Sequence, residues 1–140
     1  MKEPKVFISF SQLESEWVKE FADALKVLNI EVYFDIAEVK GDKASRDAVE
    51  VGLRKSDAIV TLLPSDPLGA PSLFFELGAA LGLQKELIPI VPANVDPESL
   101  PLALTARTLV TQQAPRETAT QVAKAVRTAV KARTQRDLER

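Results

Sequence analysis

The chain has 140 residues, 46% hydrophobic and 27% charged, which suits one globular domain with a buried core and leaves no room for a second. Its 18 basic and 20 acidic residues give a formal charge of -2, so no global positive field exists to hold nucleic acid or an anionic membrane. With no His and no Cys, a Ser-His-Asp triad, a thiol nucleophile and a His- or thiolate-bound zinc are excluded, and carboxylates, hydroxyls and Lys/Arg must carry any chemistry. No apolar run approaches the length of a membrane span, and Met1–Lys5 lacks a signal-peptide core, so a soluble, cytoplasmic chain is expected.

Short apolar runs alternate with amphipathic ones. The first strand is expected at Lys5–Phe10 (KVFISF), followed by a helix whose stripe is Trp17, Phe21, Ala24, Leu25 and Leu28. Ser11 with Glu14 resembles a capping box at its start. Ile30–Phe34 reads as the second strand, the polar loop Asp35–Asp42 follows, and a helix fits Ala44–Lys55. Asp57–Leu63 is almost continuously apolar, as expected of a strand covered on both faces. A helix fits Ser72–Gln84, then a fourth strand Leu87–Val91, which Pro89 should make short or irregular by removing a ladder donor. Pro97–Leu102 supplies a turn, Arg107–Thr111 a fifth strand and Glu117–Arg133 a last helix. The outer side of that helix carries Lys124, Arg127, Lys131 and Arg133, which reads as a solvated face. Residues 1–134 form the domain, and a polar tail from Thr134 to Arg140 is expected to fray or lead to another module.

Five strands alternating with helices specify an open parallel α/β sheet with right-handed crossovers and helices on both faces. A chain of this length suits the flavodoxin-like order 2-1-3-4-5. In that order the chain reverses between strands one and three, and ligands bind at the carboxyl ends of the strands there. Ser9–Gln12, the loop Pro64–Pro71 and the start of the helix at Ser72 should line this crevice, with Asp35 to Asp42 as its other wall.

Glu76 is the most informative position, a single carboxylate in the apolar helix start Ser72-Leu73-Phe74-Phe75-Glu76-Leu77-Gly78-Ala79-Ala80. Near a helix N-terminus its charged form is favoured, which suits a nucleophile or an electrostatic stabiliser more than a general acid. Beside an anomeric carbon such a carboxylate would stabilise an oxocarbenium-like transition state. On the helix alone, a carboxylate that merely complements the helix dipole is the favoured reading. At Ser9-Phe10-Ser11, amides and hydroxyls could hold ribose or phosphate oxygens and Phe10 could stack on a ring; the other reading has Phe10 cover the core rim and Ser11 act as an N-cap, and the two are compatible because a helix N-terminus is also an anion site. Gly41 suits a turn conformation closed to other residues. Neither GxGxxG nor GxxxxGK[ST] occurs, which weighs against Rossmann and P-loop nucleotide binding. The acidic residues and Lys of a phosphoacceptor receiver are missing too, their positions reading Ser9-Phe10-Ser11 and Thr111-Gln112-Gln113.

The order and spacing of several segments resemble a bacterial-type Toll/interleukin-1 receptor (TIR) domain. These are Val6-Phe7-Ile8-Ser9-Phe10-Ser11, Glu16-Trp17-Val18, Val32-Tyr33-Phe34-Asp35, Gly41-Asp42, Ser56-Asp57-Ala58-Ile59-Val60, Phe75-Glu76-Leu77-Gly78-Ala79-Ala80 and Leu87-Ile88-Pro89-Ile90-Val91. The resemblance implies the flavodoxin-like fold and, as in many bacterial and plant members, cleavage of NAD at its nicotinamide–ribose bond to give nicotinamide and ADP-ribose or a cyclic isomer. It implies that Glu76 is catalytic, and that Ser9, Phe10, Ser11, Asp35, Lys43 and Ser72 border the NAD site. Val39, Lys40, Gly41 and Asp42 would form a self-association loop. Ser72 stands where the family often has Trp, and Val39-Lys40 where a proline commonly precedes the loop glycine. NAD is then substrate, no metal is required, and the partners are other TIR domains in an oligomer or filament, with a fused or separate sensor, as in antiphage defence or signalling. Two alternatives stand beside this: a non-catalytic TIR–TIR interaction module, and a nucleoside 2-deoxyribosyltransferase-like enzyme.

Overall fold

The computed structural model describes residues 3–10, 15–34, 51–63, 85–99 and 109–138. The strands are β1 (Lys5–Ser9), β2 (Glu31–Phe34), β3 (Ala58–Leu62), β4 (Glu86–Val91) and β5 (Val110–Thr111). They form one sheet, every neighbouring pair parallel, in the order β2-β1-β3-β4-β5. That is the expected flavodoxin-like arrangement. The helices are α1 (Ser15–Val27), α2 (residues 51–55) and α3 (Pro115–Leu138), with a 3-10 turn at Pro97–Ser99. The expected helix Ser72–Gln84, residues 44–50 of its predecessor and the Ser11–Glu14 cap lie outside the described residues.

Alternation along the strands sends side chains into two separate cores. Val6 and Ile8 of β1, Ala58, Val60 and Leu62 of β3, and Ile88 and Ile90 of β4 pack against Val18, Phe21 and Leu25 of α1 and Val122 and Val126 of α3. On the opposite face lie Phe7, Ile59, Leu63, Leu87 and Val91, with Leu53 of α2 over them. Helices therefore cover both faces. Gly52 sets how closely α2 sits: a Cβ there would lie 2.9 Å from Cδ2 of the fully buried Phe7.

Pro89 does not shorten its strand. β4 is six residues long, in register with β3 from Ala58 beside Glu86 to Leu62 beside Ile90. Ile90 O accepts from Leu63 N on the β3 side and Val91 O accepts from Gln112 N on the β5 side. Alternation then turns the Pro89 nitrogen, like Val91, toward β5, whose described pairing runs from Ile90 with Val110 to Val91 with Thr111. The fifth strand is correspondingly only Val110–Thr111, shorter than the expected Arg107–Thr111, of which residues 107–108 are outside the described set.

α1 stops in a Schellman cap. Asn29, with φ 65°, occupies the left-handed position, Asn29 N donates to Lys26 O and Ile30 N to Leu25 O. Ile30 and Leu25, both buried, complete the motif with their apolar contact. α3 starts two residues before the expected Glu117, at Pro115, where the lost N–H is an orphan anyway. It also runs past Arg133 to Leu138, so the expected frayed tail from Thr134 is helical through Leu138. Thr134 does not break it, because its hydroxyl folds back onto Val130 O at 3.0 Å. No described helix is long and apolar enough to cross a membrane.

Candidate active site at the carboxyl edge of the sheet

A wholly parallel sheet gathers all its carboxyl ends on one edge. β1 is flanked by β2 on one side and β3 on the other, so the connections leaving these strands diverge at the end of β1. Ser9 ends β1 there, beside Thr61 of β3, which in turn lies beside Pro89 of β4. All three point to the Phe7–Ile59–Leu87 face, two residues further along each strand. Ser9 and Thr61 are 2% and 1% exposed, two hydroxyls buried at the mouth of an otherwise aliphatic layer. Ser9 is partnered. Among the described residues, Thr61 Oγ1 finds no hydrogen-bond partner although it is buried. Sequence reasoning passed over Thr61 because AIVTL reads as an apolar strand; the available signal was one hydroxyl among four aliphatic residues.

Phe10, one residue on, turns to the other face. At 5% exposure it belongs to the core beside α1 and α3, the rim-covering arrangement of the two that the sequence left open. Glu76, Ser11, Asp35, Lys43, Ser72 and the loop Val39–Asp42 lie outside the described residues, so of the expected site only Ser9 and Phe10 are placed.

The turn into α3 at this edge is fixed by polar contacts. Gln113 N donates to Thr118 Oγ1 at 2.9 Å, that hydroxyl donates to Ala114 O, and Trp17 Nε1 donates to Gln113 O at 3.1 Å. Trp17 also stacks on Phe21, with ring centroids 5.0 Å apart, so α1 is keyed to the start of α3. Beyond β4, Asp96 Oδ1 accepts from Glu98 N and holds the 3-10 turn. Among the described residues no cluster of three or more carboxylates could hold a metal ion.

Several charged groups with defined partners lie at the opposite, amino edge. Asp57 accepts from Lys5 N through Oδ2 at 2.8 Å and from Arg133 Nη2 through Oδ1 at 2.6 Å. Lys85 Nζ caps α2 by donating to Arg54 O at 2.8 Å. Partial burial, and then the nearby Arg133 charge, hold the Lys85 ammonium below its ordinary pKa, against the opposing pull of Asp57. Arg127 Nη2 donates to Leu28 O. Two of the four cations expected on a solvated face, Arg127 and Arg133, therefore fasten α3 to the rest of the domain.

The family model described as TIR domain matches residues 6–130. Among solved structures, the chain is similar to a Clostridium botulinum CMP N-glycosidase, BcmB, with a TM-score of 0.60 and 12% identity over 84% of this chain and 97% of that one. It is also similar to the TIR domains of the activated Roq1 resistosome recognising the pathogen effector XopQ, with a TM-score of 0.56 and 20% identity over 69% of this chain and 61% of that one. Among curated protein sequences none matches.

Proposed function

Because the chain belongs to the TIR domain family, we propose that it cleaves the N-glycosidic bond between nicotinamide and ribose in NAD, with Glu76 as the carboxylate at the anomeric carbon. The family match over residues 6–130 carries this reading, and a fold shared with a protein described as a CMP N-glycosidase supports the bond type. Nicotinamide leaves with the electron pair of the broken C–N bond, which neutralises its ring charge. No general acid is needed for that departure, which suits a chain without His. The Glu76 carboxylate stabilises the ribosyl cation or traps it as a transient ester. Water then adds its oxygen to the anomeric carbon and loses a proton, giving ADP-ribose; capture by the product's own nucleophile gives a cyclic isomer instead. Ser9 and Ser11 hold ribose and phosphate oxygens, Phe10 backs the site from the core beneath it, and Asp35, Lys43 and Ser72 border the substrate.

Activity depends on self-association through Val39–Asp42, which the likeness to TIR domains of an activated resistosome supports. A fused or separate sensor would cluster the domains, in antiphage defence or signalling. The test is nicotinamide release from NAD at increasing protein concentration, with and without a crowding agent, beside Glu76→Ala. Release should rise more than linearly with concentration and fall by about 10²-fold or more in the variant. Release that survives Glu76→Ala would remove the carboxylate from the mechanism. The likeness to the CMP N-glycosidase favours a second reading, the same chemistry on a pyrimidine nucleotide. Cytosine release from CMP in the same assay separates the two.

A further inference from the structure

α1 and α3 lie side by side over one face of the sheet and run in the same direction. Their starts are joined by Trp17 Nε1 on Gln113 O, and the end of α1 is held by Arg127 Nη2 on Leu28 O. Between these two ties a groove of about 630 Å³ runs along the pair. Its floor is apolar, made by the half-buried Ala24, Leu28 and Pro115, with Val27 at the rim and 81% exposed. Its walls differ in sign. Spacings of three and four set Glu16, Glu20, Asp23 and Val27 in one row on α1, and Arg116, Thr120, Lys124, Arg127 and Lys131 in one row on α3. Glu20 and Asp23 line the groove on one side and Arg116 on the other, all three exposed. Among the described residues no ion pair crosses between these rows. The ties set the distance between the helices and leave the opposed charges facing solvent.

We propose that this groove docks one amphipathic helix of a partner protein, its apolar stripe on Ala24, Val27 and Leu28, basic residues along the flank beside Glu20 and Asp23, and acidic residues along the flank beside Arg116 and Lys124. A helix in a groove is recognised through an apolar stripe at three- and four-residue spacing, and the charges beside the stripe choose the partner and its direction. Walls already fixed at both ends have little ordering left to lose on binding. A second copy of this chain fits the floor less well. Its α3 row is polar from Arg116 to Lys131, and its α1 row offers the single Val27. A polyanion would be repelled by Glu20 and Asp23. Because the walls differ in sign, exchanging the flanks of the docked helix turns it end for end.

The experiment titrates the 140-residue chain into fluorescently labelled synthetic helices of about 20 residues, followed by anisotropy. The helices share one Leu/Ala stripe; one carries Lys on one flank and Glu on the other, one Lys on both and one Glu on both. At low salt the mixed helix should bind about tenfold more tightly than either uniform one, each of which sets like charges against one wall. The advantage should shrink at high salt. The variant Glu20→Lys/Asp23→Lys should bind the all-Glu helix best, a gain that also shows it to be folded. A mixed helix with its flanks exchanged should bind equally well but reversed, so that a nitroxide at its amino end broadens amide signals at the opposite end of α1. Equal affinity for the three helices, or none for the mixed one, would overturn the proposal. So would a chain that dimerises alone and loses the dimer in Glu20→Lys/Asp23→Lys, since a second copy would then occupy the groove. None of these readouts depends on cleavage of NAD.

Discussion

Gly52→Ala sets two effects of similar size against each other, and the structure decides between them. Alanine in place of a helical glycine ordinarily stabilises by about 1 kcal/mol. Here the new methyl would lie 2.9 Å from Cδ2 and 3.1 Å from Cε2 of Phe7, and 3.6 Å from Cβ of Tyr33. Carbon pairs sit best at about 3.5–4.0 Å, so the ring or the helix must withdraw by roughly half an ångström. Phe7 is 0% exposed, between Ile59 on β3 and Leu53 of α2, and cannot swing into solvent. Overpacking of this kind costs about 1–3 kcal/mol, which leaves a net loss of about 1 kcal/mol after the helix gain. In urea at 25 °C, with a slope of roughly 1.5 kcal/mol/M, the midpoint should fall by about 0.7 M. Phe7→Leu removes the Cε2 contact and gives the methyl room. In that background Gly52→Ala should be neutral or stabilising, a coupling of about 1 kcal/mol or more between the two sites. A midpoint raised by Gly52→Ala with Phe7 intact, or a coupling of zero, would refute the argument that contact with Phe7 sets the position of α2.

Other expectations follow from single contacts. Asn29→Ala, which must keep φ at 65° to preserve the α1 cap, should lose about 1 kcal/mol in the same unfolding assay, whereas Asn29→Gly should lose nothing. Asp57→Ala strands Lys5 N and Arg133 together and should lower stability by about 1–3 kcal/mol, with faster amide exchange at Lys5. The folded domain holds the Lys85 proton less tightly than the unfolded chain, whose value is 10.5, so the unfolded state binds more protons between the two. Stability should therefore rise with pH across that alkaline interval in wild type relative to Lys85→Met, as thermal unfolding of the pair would measure. A difference that stays flat or falls would show that neither partial burial nor Arg133 weighs on Lys85.

The alternation of KVFIS, AIVTL and ELIPIV with the amphipathic stripe of α1 made the parallel sheet and its order legible, because burial on both faces leaves near-continuous apolar runs. Pro89 misled: β4 keeps its register with β3 across the proline, whose nitrogen is turned away from β3, and strand register decides that side. The last helix was read too short because polarity was taken as fraying; Thr134 bonded to Val130 O is compatible with helix. Arg127 and Arg133 looked like solvated charges because their partners lie 99 and 76 residues away.

The site divides in the same way. Sequence alone determined the short inventory of chemistry, with no His and no Cys, and brought Glu76, Ser9 and Phe10 forward as candidates. It also indicated where the connections of the sheet diverge, because the order of a parallel sheet fixes that point. Only tertiary structure decided that Phe10 packs into the α1–α3 core, that Gly52 sits tight against Phe7, and that Thr61 is buried beside Ser9 with no bonding partner among the described residues. These are contacts between strands and helices far apart along the chain. Pattern within a segment reports which face is apolar; it carries no information about which atom of another segment will stand opposite.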